Sequence, residues 1–384
     1  MNSKAMKLEN ITIDVMASDN SLDVTSRPCK IVAYYNKKYP NIGQMADQMR
    51  TAKIASGALS ASAPCFLNLK SWLNIVHPTN PEETPVIAQS GFELCNKATA
   101  YGYDDYYNRG NEVVALAAAI TWSKTRIGLR FDRDMYEALM RTPLIGDLPS
   151  EVLLHPPHWC LYIYTPGLFT GGMRVHGAYI FLDRDEGSEI TNWVFVLDRD
   201  DWTLCHGALQ LGPWSLERAI SQALDPDSFS PGMETEFRRH AEVARAVLEP
   251  LMSMYLYVCS KNPDITGEGA QRPEYPQPTN TRRRGPRYYP PELARTWDVG
   301  VRIGTAIREA AKRPTLSTVG ADTNGRARPR AHPRCAHWHH YWVGKLKSPA
   351  RKCEVRWLHP TLVNVDDPNL LPMVIRPVKP ANDD

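Results

Sequence analysis

Three short runs fix what the middle of this chain can become: Trp159 to Tyr164 (WCLYIY), Ala178 to Asp183 (AYIFLD) and Asn192 to Asp198 (NWVFVLD). Each is aromatic and β-branched, and each is bounded by Gly, Pro or Asp, the composition of strands rather than helices. They read as successive strands of an antiparallel meander, and Trp202 to Leu211 is consistent with a further strand. Helical patterns flank them. Ile42–Ile54, Phe66–Val76 and Asp134–Met140 carry apolar residues near helical spacing. Asn111–Lys124 reads as the best helix of the N-terminal half, with Asn111 as N-cap and Glu112 in the first turn. Leu216–Leu224 and Glu234–Val258 return to helix after the strands. The expected fold is therefore α+β: a helical N-terminal part, a central antiparallel sheet flanked by helices, and a basic C-terminal module with a β-hairpin.

Four segments follow from this pass. Residues 1–148 read as mainly helical, 149–260 as the strand meander plus helices, 261–291 as a Pro/Arg-rich linker, and 292–384 as the basic module. At 384 residues with 43% apolar and 23% charged residues, a packed core is expected. No apolar run approaches a membrane span and the N-terminus lacks the build of a signal peptide, so a cytoplasmic protein without membrane partners is expected. Eight cysteines lie singly, without a CxxC pair, as in a reduced intracellular protein.

The net charge of +3 conceals an asymmetry. Between Gln271 and Arg356 stand 19 Lys/Arg against 6 Asp/Glu. A basic end on an otherwise acidic chain suits phosphate backbones or an acidic protein face; docking on the chain's own acidic half is the bland alternative. The cations that could serve are Arg282, Arg283, Arg284, Arg326, Arg328, Arg330, Arg334, Lys345 and Arg351, with Trp338 and Trp342 interleaved as stacking groups.

Within this region Ala336–Val343 and Lys352–Leu358 read as two strands around a turn. Alternation then places His337, His339 and Tyr341 on one face with Glu354 and Arg356, and Trp338, His340 and Trp342 on the other with Val355 and Trp357. Three readings compete. His337 and His339 ligate a metal, with Cys335, Cys353 or a distant His as third ligand, although the spacing matches no zinc module. Alternatively a ribonuclease uses His337 or His339 with Arg334 or Arg356 for acid–base cleavage and charge stabilisation. In the third the hairpin is a binding or purely structural surface, as in a nucleic-acid-binding repressor without catalysis. His155 and His158, His176 and His206 read as structural, and Asp183, Asp198, Asp200 and Asp201 as turn formers more than cation ligands. Gly300 and Gly304 form no phosphate loop and read as sites of close packing. No P-loop, nucleophile elbow or complete zinc module occurs, and no cofactor is expected.

The string AHPRCAHWHHYWVGK followed by KCEVRWLHPTLVN resembles the C-terminal signature of a phage- and plasmid-borne family typified by an anti-CRISPR inhibitor of the type V-A system. LMSMYLYVCS (251–260) and WDVGVRIGTAIR (297–308) are similar to the same family. The resemblance covers about the last third of the chain; the N-terminal half is similar only in layout. The matching positions are His332, Arg334, His337, Trp338, His339, Trp342, Gly344, Arg356 and Trp357. The resemblance implies a counter-defence protein that lowers the amount of a CRISPR effector or another host target. It would recognise the target's amino-terminal segment as a nascent chain and promote loss of the mRNA, with mRNA or ribosome as further partners. It assigns no catalytic role to those positions.

Overall fold

Side chains on both faces of the middle strands are apolar, so the sheet they form must be covered on both sides. The computed structural model describes residues 11–12, 27–77, 103–144, 148–170, 172–185, 187–223, 234–266, 275–282, 285–312, 332–345 and 351–363. The N-terminal elements are β1 (Ile11–Thr12), α1 (Arg27–Lys38), α2 (Ile42–Ala55), α3 (Leu69–Val76), α4 (Tyr103–Ser123), β2 (Ile127–Phe131) and α5 (Arg133–Met140). A 3-10 turn (Ser150–Leu154) leads into β3 (Cys160–Thr170), β4 (Met173–Asp183), β5 (Thr191–Arg199), β6 (Thr203–Leu211), α6 (Leu216–Ala223) and α7 (Glu234–Cys259). Then come β7 (Ile265–Thr266), β8 (Thr279–Thr281), β9 (Gly285–Arg287), β10 (Arg295–Val299) and α8 (Val301–Lys312). The chain continues through β11 (His332–Arg334), β12 (His337–Val343), β13 (Lys352–Leu358) and β14 (Thr361–Val363).

The large sheet has the order β1-β6-β5-β4-β3-β2-β10-β7. The meander β3 to β6 is antiparallel throughout, as its composition predicts. The sheet is not antiparallel everywhere: β2 lies parallel to β3, and β10 parallel to β2. The sequence marks β10 only as an extended start at Trp297 leading into a helix, which the structure bears out. Strand β2 is not legible as one, because Gly128 and Arg130 break its apolar run. Tyr162, Tyr179, Phe181, Val194 and Val196 face α1 to α4, whereas Leu161, Ile163, Ile180, Trp193 and Leu197 face α5, α6 and α7. Helix α4 begins at Tyr103, eight residues before the expected Asn111 cap. Its Ala/Leu/Ile body is a strong nucleus, and propagation from a nucleus is the easy step.

At the parallel side, β10 turns into α8 through Gly300, which has φ +76°. A Cβ there would lie 1.7 Å from Met135 Sδ, and one at Gly304 would lie 1.8 Å from Asp132 Oδ1, so both glycines serve close packing. Asp264 receives the first turn of α8, accepting from Arg302 N at 2.8 Å and from Arg302 Nε at 2.6 Å.

Asp183 does a similar task for α3, accepting from Leu69 N at 2.7 Å. Burial pushes its carboxyl up to about 6, against hydrogen bonds from Leu69 and Asn192 that pull it down. A raised acid binds its proton more tightly in the folded chain, so its penalty is full above pH 6 and vanishes below the unfolded value near 3.8. Asp183→Asn keeps the acceptor for Leu69 and, once the Asn192 amide that now donates to Asp183 turns over, donates to Asn192 Oδ1, which is buried without a partner in the parent. The variant is expected to be more stable than the parent at pH 7.5, by on the order of 2 kcal/mol, with the difference closing below pH 4. Urea unfolding of both proteins at a series of pH values checks this; a pH-independent difference rules out the titration.

Candidate functional site

Alternation along β12 and β13 produces two faces of opposite character. The strands pair from His337↔Leu358 to Val343↔Lys352, and β11 pairs with β14 to extend the ribbon at its base. Trp338, Val355 and Trp357 point to the body and are buried there. Trp357 donates from Nε1 to Thr142 Oγ1 at 3.1 Å, and its ring meets Tyr257 edge-on at 6.2 Å. This anchors the base of the hairpin on α7 and the segment after α5.

His337, His339 and Tyr341 share the outer face with Glu354 and Arg356. His339 lies directly opposite Arg356, and its ring meets that of Tyr341 at 4.3 Å. The Arg356 guanidinium stands 5.3 Å from the Tyr341 ring, and His337 and His339 are 6.4 Å apart between centroids. Glu354 accepts from Lys261 Nζ at 2.5 Å and from Arg356 Nη2 at 3.4 Å. The Lys261 hydrogen bond, followed by Arg356, holds its carboxyl below the usual carboxylate range.

Farther along the ribbon, the inner face is exposed as well. His340 and Trp342 point the same way as Trp338 yet are exposed, Trp342 by 56%. The Arg351 guanidinium lies 4.9 Å over the Trp342 ring. Gly344, with φ 113°, opens the turn, followed by the exposed Lys345. The distal half of the hairpin therefore projects beyond the body with a cation and an aromatic ring on each face.

The structure brings together His337, His339 and Arg356, as the sequence led us to expect. It corrects the role of Trp338: at 9% exposed it is packed inward and presents no stacking surface. A metal site assembled from His337, His339 and a cysteine is not formed. Cys335 is exposed at the base, where its carbonyl oxygen meets His337 Nδ1 at 3.2 Å. Cys353 is opposite Trp342, on the other face from His337 and five residues farther along, roughly 17 Å at the rise of a strand. Among the described residues no group of three His, Cys, Asp or Glu is placed to hold an ion. Arg282 is exposed beyond β8, Arg334 is in β11, and Arg283, Arg284, Arg326, Arg328 and Arg330 lie outside the described residues. Tyr341, Glu354 and Lys261 complete the face. Alternation already pointed to the first two, whereas Lys261 stands two residues beyond the end of α7.

Other carboxylates singled out in the sequence are held in ion pairs. Asp198 pairs with Arg27, Asp201 with Arg199, and Asp200 with His176. His158 is buried with its ring 5.4 Å from Trp297, and desolvation lowers its imidazole to about 4.

The model of the AcrVA2-like, or anti-CRISPR type V subtype A2, family matches residues 129–365, more than half of the chain. The chain belongs to this family. Protein FinQ of Escherichia coli is 22% identical over 302 residues, which span 71% of this chain and 82% of FinQ. The crystal structure of AcrVA2 superposes with a TM-score of 0.55 at 18% identity, covering 88% of this chain and 98% of that one, so the fold is the same. Membership of the AcrVA2-like family places the chain among anti-CRISPR proteins, as the C-terminal signature implied. The matched region contains the sheet from Leu129 onward and the whole ribbon, and it begins after α1 to α4. Among its signature positions, Trp338 and Trp357 are buried, whereas His339, Trp342, Gly344 and Arg356 are exposed. Among the described residues no helix is long and apolar enough to cross a membrane.

Proposed function

We propose that this protein lowers production of a CRISPR effector, or of another host target. On this reading it recognises the target's amino-terminal segment as it is translated and promotes loss of the message. The observation that carries it is the family match extending across a ribbon whose exposed residues are cationic and aromatic. Such a surface suits mRNA or ribosomal RNA. The nascent chain needs a different surface, and the edge of β6 supplies a fitting one. Among the described residues β1 covers only Thr203 and Leu204, leaving Cys205–Leu211 without a further strand. An extended peptide adds readily to such an edge through main-chain hydrogen bonds.

Pull-down of the tagged protein from a translating extract, with and without nuclease, tests the reading. Ribosomes, the target message and the target's nascent chain are expected in the untreated sample, and recovery of none of them abandons it. A second reading, a ribonuclease, draws on the pairing of His339 with Arg356. Purified protein is expected to leave target RNA intact; cleavage that disappears in His339→Ala would instead make the ribbon an active site.

A further inference from the structure

The free half of the ribbon carries more detail than a basic patch. Trp342 has one ring face covered by Arg351 at 4.9 Å, and the residue is 56% exposed. On the opposite side of the ribbon, the partly exposed Tyr341 ring has the His339 ring 4.3 Å away, edge-on, and the Arg356 guanidinium 5.3 Å away. The acid nearest this face, Glu354, is already neutralised by Lys261 and Arg356. Lys345 adds an exposed cation at the turn. The surface thus offers two aromatic rings, each held by a guanidinium, with Glu354 neutralised and Glu151 near Cys353 as the carboxylate on the Trp342 side.

A partner suited to it must be anionic and must present flat π faces at short intervals. Single-stranded RNA does both, since unpaired bases stack on aromatic rings while phosphates meet arginine and lysine. Duplex RNA hides its base faces and has a major groove too narrow for side chains. An acidic protein segment would satisfy the guanidiniums but leave the rings without a partner. We infer that the distal half of this hairpin is a binding site for single-stranded RNA, in which bases stack on Trp342 and Tyr341 and phosphates engage Arg351, Arg356 and Lys345. The inference rests on the proposed contact with message and gives it a location and a form.

Fluorescence anisotropy of the full-length protein tests it, with a labelled twelve-nucleotide single-stranded RNA, its duplex, the DNA duplex of the same sequence and a poly-glutamate peptide. Single-stranded RNA is expected to bind best. Trp342→Ala is expected to weaken it by about tenfold, a typical value for one lost stacking contact, and Trp342→Phe to restore most of the loss. Arg351→Ala should lower the slope of log affinity against log salt by about one. Equal binding by the parent and by a Trp342→Ala, Tyr341→Ala double variant would overturn the site. So would preference for either duplex or for poly-glutamate. If single-stranded RNA does not bind while the target message is still lost in extract, this site is wrong and the proposed function stands. If it binds through Trp342 while the message persists, the site stands and the proposed function falls.

Discussion

Asp198→Ala is expected to destabilise the protein by about 3–5 kcal/mol, the range for removing one partner of a buried ion pair. Asp198 and Arg27 are 0% and 1% exposed. Arg27 donates to both carboxylate oxygens, from Nη2 at 2.6 Å and Nε at 3.0 Å, and Tyr162 Oη donates to Oδ2 at 2.8 Å. Truncation leaves a guanidinium in the core with only the Arg199 carbonyl and the face of Trp202 for company, and leaves the Tyr162 hydroxyl unpaired. The pair also joins α1 to β3 and β5, so its loss weakens the attachment of the N-terminal helices to the sheet. Arg27→Met combined with Asp198→Ala is expected to be less damaging than Asp198→Ala alone, because no uncompensated charge remains. Chemical unfolding of the single and double variants checks this. A loss below 1 kcal/mol for Asp198→Ala, or simple additivity, would contradict the account.

That pair also shows where reading the sequence stopped. The meander, the hairpin and both faces of the ribbon were legible, because period-two alternation and turn residues are local signals. Strand β2 was not, and the parallel pairing of β2 with the extended start at Trp297 was not either, since it joins residues more than 160 positions apart. Arg27 with Asp198, and Arg50 with Tyr288, Cys65 and Phe66, are likewise long-range arrangements in which a charge is buried. By composition alone each arginine looks like a surface cation. In the ribbon the limit was different. Alternation gave the side of the strand on which each residue stands, yet could not say how far the body extends beneath it. Trp338 and Trp342 share that side, and only the first is covered.

The same boundary makes Trp357→Ala the most informative change in the hairpin. Its indole is buried among Tyr257 and the core, and its Nε1 hydrogen bond to Thr142 is the polar contact joining ribbon to body on that face. Truncating a buried tryptophan costs about 3–5 kcal/mol, and here the lost contacts are those that dock the hairpin. The expected outcome is therefore release of β12 and β13 before the sheet itself unfolds, a local opening rather than a global one. Trypsin cleavage after Arg334 and Arg356, which lie in paired strands, is expected to accelerate by about a hundredfold or more, since each 1.4 kcal/mol of opening free energy is a factor of ten. Trp357→Phe, which retains most of the buried area and loses the hydrogen bond, should fall between the two. Trp342→Ala provides the contrast: its side chain projects beyond the body, so cleavage should be unchanged while RNA binding drops. A Trp357→Ala protein that resists trypsin as well as the parent would mean that β11, β14 and Val355 hold the ribbon without it.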